Sequence, residues 1–381
     1  MAVRAAAARP ELDAVKKPVP LEDIALPEKQ QWMRWPLGTA ISLKDGRKGT
    51  FAGLDAQGSH AVHLDDAPAE QVRPKMVSRK AVRGSDEPKP HPLAGVCATG
   101  LRRPSPALAA RLAAILDAAP PGHRPARAYI EALRDKGHPT YVVGGALRDA
   151  IRGLSDPTIE PRDVDLVGTA LPSITRGVVE ALEAEGGQAV ISPRFVDNYG
   201  AVLLAGDRLD ITALKAETAK GKLPRQTKAL FGPDLSRDAA LRDFTFNAIY
   251  YDAPNDVVID PTGHGVRDAQ SMTLRLIKSI EDADLSIPLR FTKFRMRGYA
   301  PAEGALEQIA AIADRTFDGG GLAAAVARVS PRSATTPASA STWLDDFGAA
   351  MKADGLGEAF DRWIAPQRSE VIAKILARNA P

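Results

Sequence analysis

Cysteine is almost missing from this chain: Cys97 stands alone among 381 residues, so no intrachain disulfide and no cysteine-based zinc cluster can form. A reducing compartment, the cytoplasm, is the expectation. Long apolar runs are missing too. None approaches the roughly 18 residues needed to span a bilayer. The N-terminus MAVRAAAARPELDAVKKPVP has no apolar core and carries Glu11 and Asp13, so neither a membrane partner nor a cleaved secretory signal is expected. A large excess of one charge is likewise absent. Lys plus Arg number 50 against 47 Asp plus Glu, a net +3 that neither demands nor excludes nucleic acid. The six histidines have no metal-ligand spacing beyond the i, i+3 pair His60 and His63, and no repeat of solenoid period is found.

What is present is ordinary globular material. Hydrophobic residues make up 44% and charged residues 25%, and the length suggests two or three domains at roughly 100 to 200 residues each. With 31 Gly, 30 Pro and 5% aromatics, generous loops are expected. Residues 1–30 mix Ala, Pro and charge without an apolar period and read as a disordered tail. Residues 31–83 hold short β-like runs at Ala40–Leu43, Gly49–Ala52, His60–Leu64, Gln71–Val72 and Met76–Ser78, with a hairpin cue at Asp45-Gly46. They read as a small β-barrel-like domain whose basic residues Arg73, Lys75, Arg79 and Lys80 read as a solvated face, with contact to RNA the alternative. Residues 84–106, rich in Pro and charge, read as a linker.

Beyond the linker, helical spacing at Ala107–Ala118 and Ala126–Lys136 gives way to alternation. Strands are predicted at Thr140–Val143, Val164–Gly168, Gln188–Ser192, Ala201–Leu204 and Arg208–Leu214. Helices are predicted at Ala146–Gly153, Ser173–Glu185 and, as one long element, Ser236–Tyr251. The fold class is therefore α+β, a mixed sheet with helices over residues 107–271 followed by a helical region over 272–381.

The chemistry concentrates in YVVGGALRDA (141–150) and RDVDLVGT (162–169). A strand that ends in Gly144-Gly145 and runs into a helix leaves backbone N–H groups bare, a cradle for phosphate. Asp163 and Asp165 lie two apart at the start of the next strand, so a period of two points both carboxylates to one face. Such a pair repels itself unless a cation intervenes, and hard oxygen ligands suit Mg²⁺ carrying a nucleoside triphosphate. Asp210, in RLDITAL, could bring a third strand carboxylate to that face. The segment 214–228 carries Lys215, Lys220, Lys222, Arg225 and Lys228 against Glu217 and reads as a flexible basic loop suited to phosphates.

Four motifs in order carry a resemblance: Gly144-Gly145-Ala146-Leu147-Arg148-Asp149, Asp163-Val164-Asp165, Arg242-Asp243-Phe244-Thr245-Phe246-Asn247-Ala248 and Asp260-Pro261-Thr262-Gly263. They resemble the head-domain motifs of class II tRNA nucleotidyltransferases (CCA-adding enzymes) and bacterial poly(A) polymerases, in the polymerase β superfamily. The likeness covers about 136–300, with a worn helical neck and early body at 326–333 and 354–366. It implies a polymerase β-like head followed by a helical neck and short body.

By position, the resemblance makes Asp163 and Asp165 the metal-binding pair, with Asp210 the third acid of the catalytic site. Gly144 and Gly145 hold the triphosphate, while Arg148 and Asp149 are the charged pair opening the next helix. Arg242, Asp243 and Asn247 contact the incoming nucleotide, and Arg290 and Lys293 survive from the base-reading motif. The implied activity is template-independent transfer from ATP or CTP to an RNA 3′ end, that of tRNA first, with Mg²⁺ as cofactor. Alternatives are a poly(A) polymerase, a non-catalytic RNA- or nucleotide-binding relative, and an enzyme redirected to another acceptor. The chain departs from the family at Ser286 and Ile287, where an acidic pair is usual, with Glu281-Asp282 a few residues earlier. Nothing in the sequence specifies an oligomeric state.

Overall fold

The computed structural model describes residues 17–28, 35, 37–55, 57–68, 73–85, 91–120, 123–159, 161, 163–185, 194–196, 201–204, 208–219, 228–317 and 321–380. They fall into two compact units, one within residues 1–242 and 247–266, the other within 243–246 and 267–381. No described helix is long and apolar enough to cross a membrane.

The first unit opens with β1 (Ala40–Leu43), β2 (Lys48–Leu54), β3 (His60–Leu64), β4 (Lys75–Val77) and β5 (Val82–Gly84). The Asp45-Gly46 turn joins β1 to β2: Gly46 takes a φ of +90° and its N–H donates to the Leu43 carbonyl. Alternation along the strands turns Ile41, Leu43, Phe51, Val62, Val77 and Val82 inward around Trp35. The strands run β5-β1-β2-β3-β4, all antiparallel. A short turn at Arg79–Ala81, capped by the Ser78 hydroxyl accepting from the Lys80 N–H, links β4 to β5. Those two strands do not pair, so the expected barrel is an open sheet among the described residues. The run expected at Gln71–Val72 lies outside the described residues.

The chain continues through β6 (Leu101–Arg102), α1 (Pro106–Asp117), α2 (Ala126–Asp135), β7 (Thr140–Val143), α3 (Gly145–Gly153), β8 (Val164–Gly168) and α4 (Pro172–Glu185). Next come β9 (Arg194–Val196), β10 (Ala201–Leu204), β11 (Leu209–Ala213), β12 (Lys215–Ala219), β13 (Lys228–Phe231), α5 (Leu235–Ala240), β14 (Tyr250–Asp252) and β15 (Val257–Ile259). Helix α1 starts where Ser105 caps it: its hydroxyl accepts from the Leu108 N–H at 3.2 Å, and Leu108, Leu112 and Leu116 then bury one stripe. Eight strands form a mixed sheet in the order β6-β15-β14-β7-β8-β11-β10-β9, with β8 and β11 parallel. The strand expected at Gln188–Ser192 falls outside the described residues.

Two further expectations are overturned. The long helix predicted over Ser236–Tyr251 stops at Ala240; Thr245–Asn247 is a single 3₁₀ turn and Tyr250–Asp252 is a strand. The aromatic pair Tyr250-Tyr251 gains more from pairing with Val143 and Val142 of β7 than from extending a helix. The basic segment 214–228 is also more ordered at its ends than a flexible loop. Its ends form β12 and β13, which pair with each other, and Phe231 of β13 pairs with Leu54 of β2. Ala216 and Leu230 pack with Ala61 of β3, so this hairpin ties the N-terminal sheet to the strand that carries Asp210. Residues 220–227 lie outside the described residues.

His138, just before β7, is 1% exposed, and its Nδ1 has no hydrogen-bond partner among the described residues. Burial pushes its pKa down from 6.5 to about 4. Between those values the unfolded chain binds a proton that the folded chain refuses, so stability falls as the pH drops through that window. Urea unfolding should show the wild type losing about 1–2 kcal/mol more than His138→Leu between about pH 7 and about pH 5. Parallel losses in the two proteins would exclude this role for His138.

The second unit contains α6 from Arg267 onward (helix Gly265–Ser271), β16 (Thr273–Leu274), α7 (Ser286–Arg295), β17 (Ala300–Pro301), α8 (Ala305–Thr316), α9 (Leu322–Val329), α10 (Pro337–Ala353) and α11 (Arg368–Asn379). Its core gathers Phe244, Phe246, Phe294 and Tyr299, with ring centroids 5.0–5.6 Å apart. A capping box between Thr336 and Ser339, with Pro337 in the first turn, starts α10.

Candidate active site

Gly144 is the pivot of the first unit's site. It joins β7 to α3 at φ +75° and ψ −128°, a conformation that glycine adopts at little cost and side-chain-bearing residues avoid. A methyl group at this position would sit 3.4 Å from Asp165 Oδ2 and 3.9 Å from both Arg242 Nη1 and the Asn247 carbonyl oxygen. Three of the four motifs read from the sequence therefore converge on one glycine backbone. The first turn of α3 adds N–H groups that no helical carbonyl can satisfy, with the positive end of the helix dipole.

Asp165 reaches this point from β8, where it is the register partner of Val143 on one side and of Asp210 on the other. Register partners share a face, so Asp165 and Asp210 lie side by side on strands about 4.8 Å apart, both half-buried. The neighbours of Asp210, Leu209 and Ile211, are each 1% exposed on the opposite face. Asp163, two residues before Asp165 and just ahead of the strand, is exposed. Among the described residues no group of three or more His, Cys, Asp or Glu forms a closed metal centre. The donor set is an open one. Hard carboxylates on one face, beside a glycine cradle that a Cβ would fill, fit a divalent cation whose remaining ligands come from substrate phosphates.

Arg148 and Asp149 close the other side. The Arg148 guanidinium, 7% exposed, donates to both carboxylate oxygens of Asp149 at 2.8 and 2.9 Å and to Asn247 Oδ1 at 2.8 Å. It also folds back over Gly145, where a Cβ would sit 3.6 Å from its Nη2. This bidentate fork holds the Asn247 amide in one orientation.

Arg242 stands on a network that the sequence reading missed. Its Nε and Nη2 donate to Asp238 Oδ2 at 2.9 and 2.8 Å, its Nε also meets Tyr250 Oη at 3.1 Å, and Tyr250 donates to the same Asp238 oxygen at 2.7 Å. The Lys215 N–H donates to Asp238 Oδ1 at 3.0 Å, tying in the hairpin. Burial alone would raise the Asp238 pKa, but the Arg242 charge, the Lys215 N–H and the Tyr250 hydroxyl outweigh it and hold the carboxyl below its ordinary range. Burial and the Asp238 charge push the Tyr250 hydroxyl well above its ordinary value, so it remains a neutral donor. The signal for Asp238 was its i, i+4 spacing to Arg242; Tyr250 had none, because it comes from a strand read as helix.

The second unit holds Asp243, Arg290 and Lys293. Asp243 Oδ2 pairs with Arg290 Nε at 2.6 Å and Oδ1 accepts from the Phe244 N–H at 2.8 Å, so two of the residues singled out in the sequence meet. Lys293 lies one turn along α7 from Arg290. Ile287 is 2% exposed in the core, and Ser286 donates its N–H at 2.8 Å, and its hydroxyl, to Asp284 Oδ1. Glu281 and Asp282 sit exposed in the turn before α7, where Asp282 Oδ2 accepts from the Ser279 hydroxyl at 3.2 Å.

Comparison with known proteins bears on this arrangement. Residues 140–275 match the family described as the poly A polymerase head domain. Poly(A) polymerase I of Haemophilus influenzae is 27% identical over 158 residues, 39% of this chain and 32% of that protein. A CCA-adding enzyme of Streptococcus pneumoniae is 29% identical over 153 residues, 39% of this chain and 33% of that protein. The chain thus spans about a third of the length of these curated relatives. A solved Thermotoga maritima CCA-adding enzyme complexed with tRNA aligns at 19% identity and a TM-score of 0.41, covering 61% of this chain and 51% of that one. The matched segment begins at β7 and takes in all four motifs, so the likeness to the poly A polymerase head domain falls on the residues that build this site.

Proposed function

We propose that this chain is a template-independent RNA 3′-terminal nucleotidyltransferase that adds C and A residues to tRNA ends from CTP and ATP. The observation that carries the reading is the convergence of Asp165, Arg242 and Asn247 on the Gly144 backbone. Gly144, Gly145 and the first turn of α3 receive the triphosphate, whose charge the helix N-terminus favours. Arg242, fixed by Asp238 and Tyr250, offers a guanidinium whose position costs no reorganisation. Asn247, held by Arg148, presents its amide to the nucleotide. Asp163 and Asp165, with Asp210 beside them, would hold Mg²⁺, which supplies activation of the attacking 3′-hydroxyl and stabilisation of the leaving pyrophosphate. The lone exposed Cys97 accords with a reducing, cytoplasmic setting.

Burial of Ile287 favours a second reading. An apolar side chain 2% exposed cannot accept a hydrogen bond from the amino group that cytosine and adenine both carry, so selection of C and then A lacks an acceptor at this position and a poly(A) polymerase is the alternative. One experiment separates the two. The purified chain is given Mg²⁺, each labelled nucleoside triphosphate in turn, and tRNA lacking its 3′ end. Incorporation of C and then A in short, defined additions is expected; a long A tail from ATP alone assigns poly(A) synthesis, and no incorporation onto any RNA refutes both.

A further inference from the structure

Eleven residues of the N-terminal sheet, Arg73–Arg83 (RPKMVSRKAVR), contain five cations and no acid. Read along the sequence this is an ordinary solvated face. In the fold it is a surface on the unit that carries the site. The segment runs through β4, the Ser78-capped turn and β5, so it occupies one edge of the sheet, the turn and the other edge. Its apolar side chains Val77 and Val82 are buried, which anchors the backbone. Lys75, Arg79, Lys80 and Arg83 are all exposed, and so is Met76, 40% accessible and one of three large apolar side chains exposed among the described residues.

The second observation is the attachment. β3, which pairs with β4 along Val62↔Lys75, Ala61↔Met76 and His60↔Val77, packs its Ala61 against Ala216 and Leu230 of the β12–β13 hairpin. That hairpin begins two residues after β11, the strand of Asp210, and its Lys215 N–H is bonded to Asp238 beneath Arg242. The basic edge is therefore carried by the body that carries the phosphate cradle, through packed strands rather than a bare tether. Cations spaced along an anchored, acid-free edge complement a phosphodiester backbone, which the nucleotide site itself does not need.

We propose that Lys75, Arg79, Lys80 and Arg83 form an RNA-backbone contact, separate from the nucleotide site, through which the N-terminal sheet holds the acceptor RNA. This rests on the nucleotidyltransferase reading, because it is the acceptor that needs holding. These contacts read phosphates, so they add affinity across RNA sequences rather than base specificity.

The test compares the full-length wild type with a Lys75→Gln, Arg79→Gln, Lys80→Gln, Arg83→Gln variant, and with the single charge reversal Lys80→Glu. Fluorescence anisotropy gives the Kd for labelled tRNA lacking its 3′ end over a range of KCl concentrations. Steady-state kinetics gives KM for that RNA and for the triphosphate. For the quadruple variant Kd and RNA KM should rise at least about tenfold at about 0.1 M salt, and the slope of log Kd against log salt should fall by about 3. The triphosphate KM should not move. Lys80→Glu should weaken RNA binding in the same direction with an unchanged Tm, which guards against misfolding of the quadruple variant. Unchanged Kd and salt slope in variants that retain the wild-type Tm would overturn the proposal. A wild type that transfers nothing to any RNA would instead refute the underlying reading, whatever the variants bind.

Discussion

Asp165→Asn is expected to lower nucleotide transfer on the order of 10³-fold or more, with no fall in Tm. The carboxylate lies against the glycine that turns β7 into α3, so it is at the point where triphosphate and cation would meet. Its removal takes away a hard oxygen ligand, and an amide is a far weaker one. Stability should move the other way. Asp165 and Asp210 are register partners on parallel strands, and two carboxylates side by side on one face repel each other. Asp165→Asn relieves that repulsion. Transfer assays paired with thermal melts decide the matter: retained activity contradicts the role, and lost activity with a sharply lowered Tm makes Asp165 a structural residue.

Asp238→Ala should cost about 3 kcal/mol or more of folding stability. The carboxylate is 3% exposed and receives the Arg242 guanidinium, the Tyr250 hydroxyl and the Lys215 N–H, so its loss strands a cation and two donors with no partner of equal strength. Tyr250→Phe removes two hydrogen bonds, the one donated to Asp238 and the one accepted from Arg242, but leaves the ion pair, and should cost about 1–2 kcal/mol. Urea unfolding at neutral pH measures both. A loss below about 1 kcal/mol for Asp238→Ala would mean that Arg242 is held by something other than this network.

Local spacing made part of this molecule readable. Gly144-Gly145 is a local signal, and its structural consequence, a strand-to-helix turn, follows from those two residues, whereas of the Asp163-x-Asp165 pair only Asp165 lies within the strand. Asp45-Gly46 was legible as a hairpin for the same reason. What escaped depends on partners distant in the chain. Tyr250 and Tyr251 are strand residues because β7 lies more than a hundred positions earlier, so a helical pattern running on past Ala240 could not reveal them. The segment 214–228 looked like loose basic chain because its ends pair with each other and then, through Phe231, with Leu54. Asp238 was hidden by its neighbours: a carboxylate one helical turn before Arg242 looks like any surface i, i+4 pair until burial and Tyr250 are added.

The measurement closest to the central claim follows the phosphates. The purified chain, Mg²⁺ and RNA ending in a free 3′-hydroxyl are incubated with ATP or CTP labelled either at the α- or at the γ-phosphate. Attack of the 3′-hydroxyl on the α-phosphate predicts α-label on the RNA, γ-label only in pyrophosphate, and one pyrophosphate released per nucleotide added. Label from the γ-phosphate on the RNA, or RNA that stays unlabelled while the protein remains folded, would contradict it.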